Sequence, residues 1–193
     1  YDVSGFTTRF GGQVSDDFKA EDWMGPKEIR KTDPFIHYGV AAAKQALKDS
    51  GIEVTDANRD RIGILVGSGI GGIGSISDQC VTLANKGVRR VSPFFVPSSI
   101  INMISGYISI DTGITGPNLA VVTACTTATH AIGLTYRMIR EGLVDLGIAG
   151  AAEASLNWGA TPAWQAMRVL SPDGLWPFSK KRNGTVLAEG AGI

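Results

Sequence analysis

Cysteine and histidine are scarce in this 193-residue chain, with two of each: Cys80, Cys125, His37 and His130. Two cysteines make no disulfide framework, and a reducing cytoplasm is the default setting for such a chain. Neither charge sign is in excess, since 18 Lys and Arg balance 18 Asp and Glu. No global field therefore argues for nucleic acid. No apolar run reaches the roughly 18 residues of a membrane-spanning helix, and no membrane partner is expected. No charged-then-apolar leader opens the chain, which starts at Tyr1 rather than Met. Internal repeats and low-complexity tracts are also absent. What remains is a length that suits one domain with a real core. The 25 glycines point to a tightly turned α/β architecture. Both ends read as cut: "YDVSGFTTRFGG" enters in the middle of a loop, and "GTVLAEGAGI" reads as a strand and turn that should continue. The expectation is a piece of a larger protein.

Residues 1–25 read as mostly loop. Pro26 suits the first turn of a short helix, "PKEIRK". Asp33 then caps a longer one, "PFIHYGVAAAKQALKDS", which Gly51 can close in a left-handed conformation. "RIGILVG" at 61–67 is a buried-strand pattern, followed by a glycine turn and a helix near 73–86. "VRRVSPFFVPSS" is an irregular connection with two prolines, and "SIINMISGYISIDTG" reads as a buried helix. Strand "NLAVVTA", a helix over 126–141, strand "VDLGIAGAAE" and a helix over 155–169 follow. Strands alternating with helices predict a layered α/β sheet with parallel pairs.

Within this pattern Cys125 falls where "NLAVVTA" gives way to the next helix. Unpaired backbone N–H groups and the helix dipole favour an anion there. Its small neighbours Ala124, Thr126, Thr127 and Ala128 leave room for a substrate. The alternative is an inert buried cysteine filling space. His130 is no partner for it: five helical positions rotate it about 140° away, onto the polar face of Arg137 and Glu141. His37, inside an amphipathic helix, has no better claim, so a catalytic base is missing from the chain. "GSGIGG" at 67–72 fits a dinucleotide-binding pattern, but no acidic strand end follows about 20 residues on. A tight turn that lets backbone pass close to a pocket suits it better. Lys27, Arg30 and Lys31 stand at i, i+3 and i+4, on one face of the short helix. On the residues alone that is a solvated charged face.

Taken together, "RKTDPFIHYGVAAAKQAL", "IGILVGSGIGG", "VSPFFVPSSIINM", "TACTTATHAIG", "GIAGAAEA" and "WPFSKKRNGTVLAEGAG" resemble the bacterial β-ketoacyl-acyl carrier protein synthases, type II most of all. The resemblance runs through essentially all 193 residues. It implies the thiolase-like αβαβα fold, built of two similar halves. This chain would span 1–193 as most of the first half and the join, without the first strand and nearly all of the second half. It also accounts for the missing base, because two histidines, a lysine and one oxyanion-hole donor belong to the second half. Cys125 is the implied acyl acceptor, and its own backbone N–H the other oxyanion donor. Acyl transfer to Cys125, then decarboxylative condensation with a malonyl carrier protein, would elongate a fatty acid. No metal or organic cofactor is implied.

Further roles carry over residue by residue. Ile70 matches the gate of the acyl pocket, where simple turn packing is the bland reading. Phe95 matches a residue of the homodimer interface that helps line the neighbouring subunit's pocket; alone it would pass as a core aromatic. Trp164 matches a pocket wall usually held by a smaller aromatic. The acyl carrier protein, an acidic partner, would meet Lys27, Arg30, Lys31, Arg89, Arg90 and Arg168. "SKKRNGT" departs from a more acidic segment, and "CTTATH" from the commonest continuation after the cysteine. Two further functions fit the resemblance: a ketosynthase of a polyketide or specialised lipid pathway, and a non-catalytic chain-length partner subunit. Such subunits typically replace the nucleophile, and Cys125 is present.

Overall fold

Ile62–Gly67 is an unbroken run of buried residues and forms strand β1. A strand buried on both faces is what a parallel sheet covered by helices requires. In the structure, a computed structural model that describes residues 2–193, β1 lies between two parallel neighbours. Asn118–Leu119 forms the short strand β2 on one side, and Leu146–Glu153 forms β3 on the other. Gly190–Gly192, strand β4, pairs antiparallel with the end of β3, giving the order β2-β1-β3-β4. The parallel pairs follow the sequence reading; the antiparallel β4 was not anticipated.

Helices cover both faces. Helix α2, Pro34–Ser50, is set by its ends, as its sequence predicts. The Asp33 carboxylate accepts from the Phe35 N–H, Pro34 occupies the first turn, and Gly51 closes the helix at φ 68°. Its residues Phe35, Ile36, Val40 and Ala43 join Ile62, Ile64, Val66, Ile148 and Ala152 of the sheet in one core. Ile104 and Ile108 of helix α5, Met103–Thr112, complete that layer. Side chains of this size each contribute about 1.5–3 kcal/mol when fully buried. On the opposite face, Gly67 and Gly147 lie against Thr127 and Thr135 of helix α6, Thr127–Arg140. The glycine-for-side-chain exchange lets that helix sit close on the sheet.

Several expected elements are shorter. The helix at "PKEIRK" ends at Ile29, giving α1 as Pro26–Ile29. Ile73–Lys86 forms α3 as predicted. The segment expected to be irregular carries a 3-10 turn at Val88–Arg90 and helix α4, Phe95–Ser99. Pro97 is tolerated in α4 because the first turn of a helix needs no intrahelical N–H donors. The buried helix of "SIINMISGYISIDTG" begins only at Met103. "NLAVVTA" pairs in the sheet only at Asn118 and Leu119. Of the helix expected over 155–169, only Thr161–Ala166, α7, forms. There the Asn157 side chain takes the N–H groups of Gly159 and Ala160, an Asx-type turn that competes with helix.

Candidate active site

The carboxyl ends of parallel strands are where open α/β sheets bind ligands, and here three of them converge. After β2 the chain leaves the sheet and turns back at Ala124, which has φ 53°. A left-handed residue that is not glycine costs roughly 1–2 kcal/mol, so the surrounding contacts must hold it. The buried Thr127 side chain does much of this. Its Oγ1 donates to the Ala124 carbonyl at 2.7 Å and accepts from the Thr123 N–H at 3.0 Å. Thr126 Oγ1 donates to the Thr123 carbonyl at 2.8 Å. The result is a single 3-10 turn, Ala124–Thr126, running directly into α6. Cys125 stands on that turn with its thiol free and exposed. Helical N–H groups at such a start have no intrahelical acceptor and can face a developing negative charge.

Beside it lies a cleft of about 450 Å³. Ile70, Cys125 and Trp164 share its lining with small residues such as Ala128 and Ala151, and the wall is largely apolar. Phe95 is outside this lining, half-buried on α4, its carbonyl accepting from Ser98 and Ser99 hydroxyls. The far wall comes from Thr185 to Gly192, a stretch tied down by bridges of Thr185 to Leu170 and Ala188 to Gly12. The "GSGIGG" segment is a turn at the cleft, seated on the α4 end through a Gly72 N–H to Ser99 carbonyl bond of 3.1 Å.

One lining residue carries a charge that the sequence reading passed over. Glu153, at the end of β3, accepts hydrogen bonds from Ser68 Oγ and from the N–H groups of Gly69 and Ile70. The signal was present in "GAAE", an acid closing an apolar strand, but its partners lie more than 80 residues away. Ser155, buried on the same lining, was also missed. Neither histidine lines the cleft. His130 is exposed, with Nδ1 2.7 Å from Thr123 Oγ1. His37 is half-buried, with Nε2 2.9 Å from Thr32 Oγ1, and burial pushes its ring below the usual imidazole range. Among the described residues, no three His, Cys, Asp or Glu side chains gather as a metal site.

Lys27, Arg30 and Lys31 do not share one helix as expected. Lys27 lies in α1, whereas Arg30 caps it and Lys31 stands beyond it. Lys31 Nζ sits 5.3 Å from the centre of the Phe94 ring, joining this corner to the α4 segment. Arg89 and Arg90 are exposed on their 3-10 turn. Arg168 follows α7 at φ 57°, exposed. Among the described residues, none of the six is ion-paired; such pairs form at Lys44–Asp111, Arg59–Asp56 and Arg61–Asp145.

The chain resembles known proteins in sequence and in fold. Over 199 aligned residues the chain is 47% identical to 3-oxoacyl-[acyl-carrier-protein] synthase 2 of Vibrio cholerae, covering all of this chain and 48% of that protein. The chain thus spans about half the length of the curated relatives it matches. Among solved structures, a β-ketoacyl synthase from Burkholderia phymatum superimposes with TM-score 0.82 at 26% identity, over 96% of this chain and 47% of that one. A type II polyketide ketosynthase, in complex with its acyl carrier protein, matches with TM-score 0.81 at 25% identity, over 93% and 50%. Residues 4–193 match the family described as β-ketoacyl synthase, N-terminal domain. The chain belongs to that family and has its layered thiolase-like α/β fold.

Proposed function

We propose that the chain is the nucleophile-bearing half, residues 1–193, of a β-ketoacyl-acyl carrier protein synthase that elongates fatty acids. The observation that carries this is the free, exposed Cys125 on its strained turn at the mouth of an apolar cleft. The Cys125 thiolate attacks the carbonyl of an acyl thioester, and the carrier thiol leaves, giving an acyl-cysteine. A malonyl thioester then loses carbon dioxide, and its carbanion attacks the acyl-cysteine to form the new carbon–carbon bond. The Cys125 thiolate leaves, and the β-ketoacyl group ends on the carrier. The Cys125 N–H is suited to hold the oxyanion in both steps. Ile70 and Trp164 shape the acyl pocket. Two histidines, a lysine and a second oxyanion donor outside this chain complete the chemistry.

The 47% identity to a 3-oxoacyl-carrier-protein synthase favours fatty acid elongation over polyketide assembly, whose ketosynthase matches at 25%. A cytoplasmic setting agrees with two free cysteines and with the absence, among the described residues, of a helix long and apolar enough to cross a membrane. A homodimer is supported by the β2 edge of the sheet, where Leu119 and Val122 stand more than half open to solvent, and by the exposed Ile132 and Tyr136 of α6. Phe95 belongs to that interface in this reading. Acidic acyl carrier protein docks on Lys27, Arg30, Lys31, Arg89, Arg90 and Arg168.

The test is to incubate the full-length protein with an acyl carrier thioester and map the adduct by mass spectrometry. A thioester on Cys125, lost in Cys125→Ala, is expected. An adduct on Cys80, or none, overturns the reading.

A further inference from the structure

We infer that Glu153 is a positioning residue for the acyl pocket, fixing the Ser68–Gly71 turn and thereby the place of Ile70 in the cleft beside Cys125. The inference rests on the acyl-transfer reading and deepens it. Its basis is a convergence of donors on one carboxylate. Glu153 Oε2 accepts from the Gly69 N–H at 2.9 Å and the Ile70 N–H at 3.2 Å, and Oε1 accepts from Ser68 Oγ at 3.1 Å. Ser68, fully buried, accepts in turn from the Gly71 N–H at 2.9 Å. Four consecutive residues are therefore fixed by one side chain, three directly and one through Ser68.

Strand register explains why the acid reaches them. Gly67 pairs with Ala151 across the parallel ladder, so Glu153, two residues on, stands beside Gly69, also two residues on. A Cβ on Gly69 would lie 2.7 Å from Oε2, so the carboxylate approaches only because residue 69 is glycine. No side chain other than Glu153 accepts from the Gly69 and Ile70 N–H groups among the described residues. Without it two donors are left unpaired at the cleft, which a turn relieves by moving. Because Ile70 carries one of those donors and lines the cleft, its side chain moves too, and pocket depth changes. Glu153 acts through Ile70 and need not touch the reacting atoms.

Three variants of the full-length protein separate this from a general structural role. Glu153→Leu keeps the bulk and removes the acceptor. Glu153→Gln keeps an oxygen for both backbone donors. Ile70→Ala removes the side chain through which the effect is exerted. The readout is the rate of Cys125 acylation by short and long acyl thioesters of a small thiol. Glu153→Leu should change the long-to-short ratio by at least about tenfold, the discrimination that a small change of pocket shape produces. Glu153→Gln should keep the original ratio. In the Ile70→Ala background, Glu153→Leu should produce no further change; additive effects would mean that Glu153 acts elsewhere and overturn the inference. Amide hydrogen exchange at residues 69–71 should accelerate in Glu153→Leu, whatever its activity. If that variant does not fold, Glu153→Asp, with its shorter reach, carries the same comparison. An unmodified Cys125 in the parent defeats the acyl-transfer reading and leaves the exchange result to decide the anchor. An acylated parent with an unchanged ratio in the variant defeats the inference alone.

Discussion

Thr127 shows how one hydroxyl can support a strained neighbour. It both donates to the Ala124 carbonyl and accepts from the Thr123 N–H, so it spans the turn on which Cys125 stands. Thr127→Val has the same shape but strands the Thr123 N–H and leaves the Ala124 carbonyl only the Thr127 backbone N–H. The expected loss is about 1 kcal/mol, the net worth of an ordinary intramolecular hydrogen bond, at a part-buried position, measured by urea denaturation. Ala124 should then relax from its left-handed conformation, and alkylation of Cys125 by a limiting reagent should change relative to Cys80. Unchanged stability and unchanged labelling would mean that the turn is held by packing alone.

Between elements, helix α2 meets the stretch before β4 through a carboxyl group. Tyr38 donates to Glu189 Oε2 at 3.3 Å, and the Leu156 N–H donates to Oε1 at 3.3 Å. Burial raises the Glu189 carboxyl above its usual range, against the lowering effect of these donors, and pushes Tyr38 up to about 12, with the Glu189 charge assisting. A carboxyl whose affinity for protons is higher in the folded chain favours folding below its unfolded range. That contribution fades as pH rises through the raised folded value. Glu189→Gln removes this dependence. Its urea midpoint should exceed that of the parent near neutrality, and the two should converge as pH falls through the carboxylate range. A difference independent of pH would rule out ionisation as the cause.

The same scale shows what can be read from sequence. Helix α2 was legible because both of its ends are written locally, in Asp33 and Gly51. Strand β1 was legible as a short apolar run after Arg61. "NLAVVTA" misled because apolar β-branched residues suit any buried extended segment. Whether Ala120 to Thr123 pair in a sheet depends on a neighbour that the sequence does not name. The helix over 155–169 failed for a local reason, the Asn157 turn. Cys125, Ile70 and Trp164 were placed by motif resemblance, and the fold brings them to one cleft. Glu153 was illegible because its meaning comes from strand register. Its partners Ser68, Gly69 and Ile70 stand more than 80 residues away, on the turn after the adjoining strand.

Across the whole molecule, zero net charge goes with sparse ion pairing. Among the described residues only Lys44, Arg59 and Arg61 pair with a carboxylate, and the unpaired cations include Lys27 in α1 and Arg30 as its cap. An acidic partner would be steered to them, the more so at low salt. In the full-length protein, replacing Lys27, Arg30 and Lys31 by Glu should slow reaction with carrier-linked acyl groups severalfold or more, as rim charges govern encounter. Small thioesters should react nearly as before, because Cys125 and its cleft are untouched. Rates for both substrates across a salt series decide the matter: equal losses would mean a defect of folding or pocket, not of docking.

The parallel pairing of β1 with β3 also bears on how the chain reaches this shape. Ile62 meets Leu146, and Gly67 meets Ala151, so the central ladder cannot begin until the 83 residues between such partners have been gathered into a loop. The entropy of closing that loop is lost before any rung is gained, and topologies of this kind fold slowly. While it waits, the apolar "IGILVG" segment is open to intermolecular association. Refolding yield should therefore fall with protein concentration, with the final docking of β3 beside β1 setting the pace.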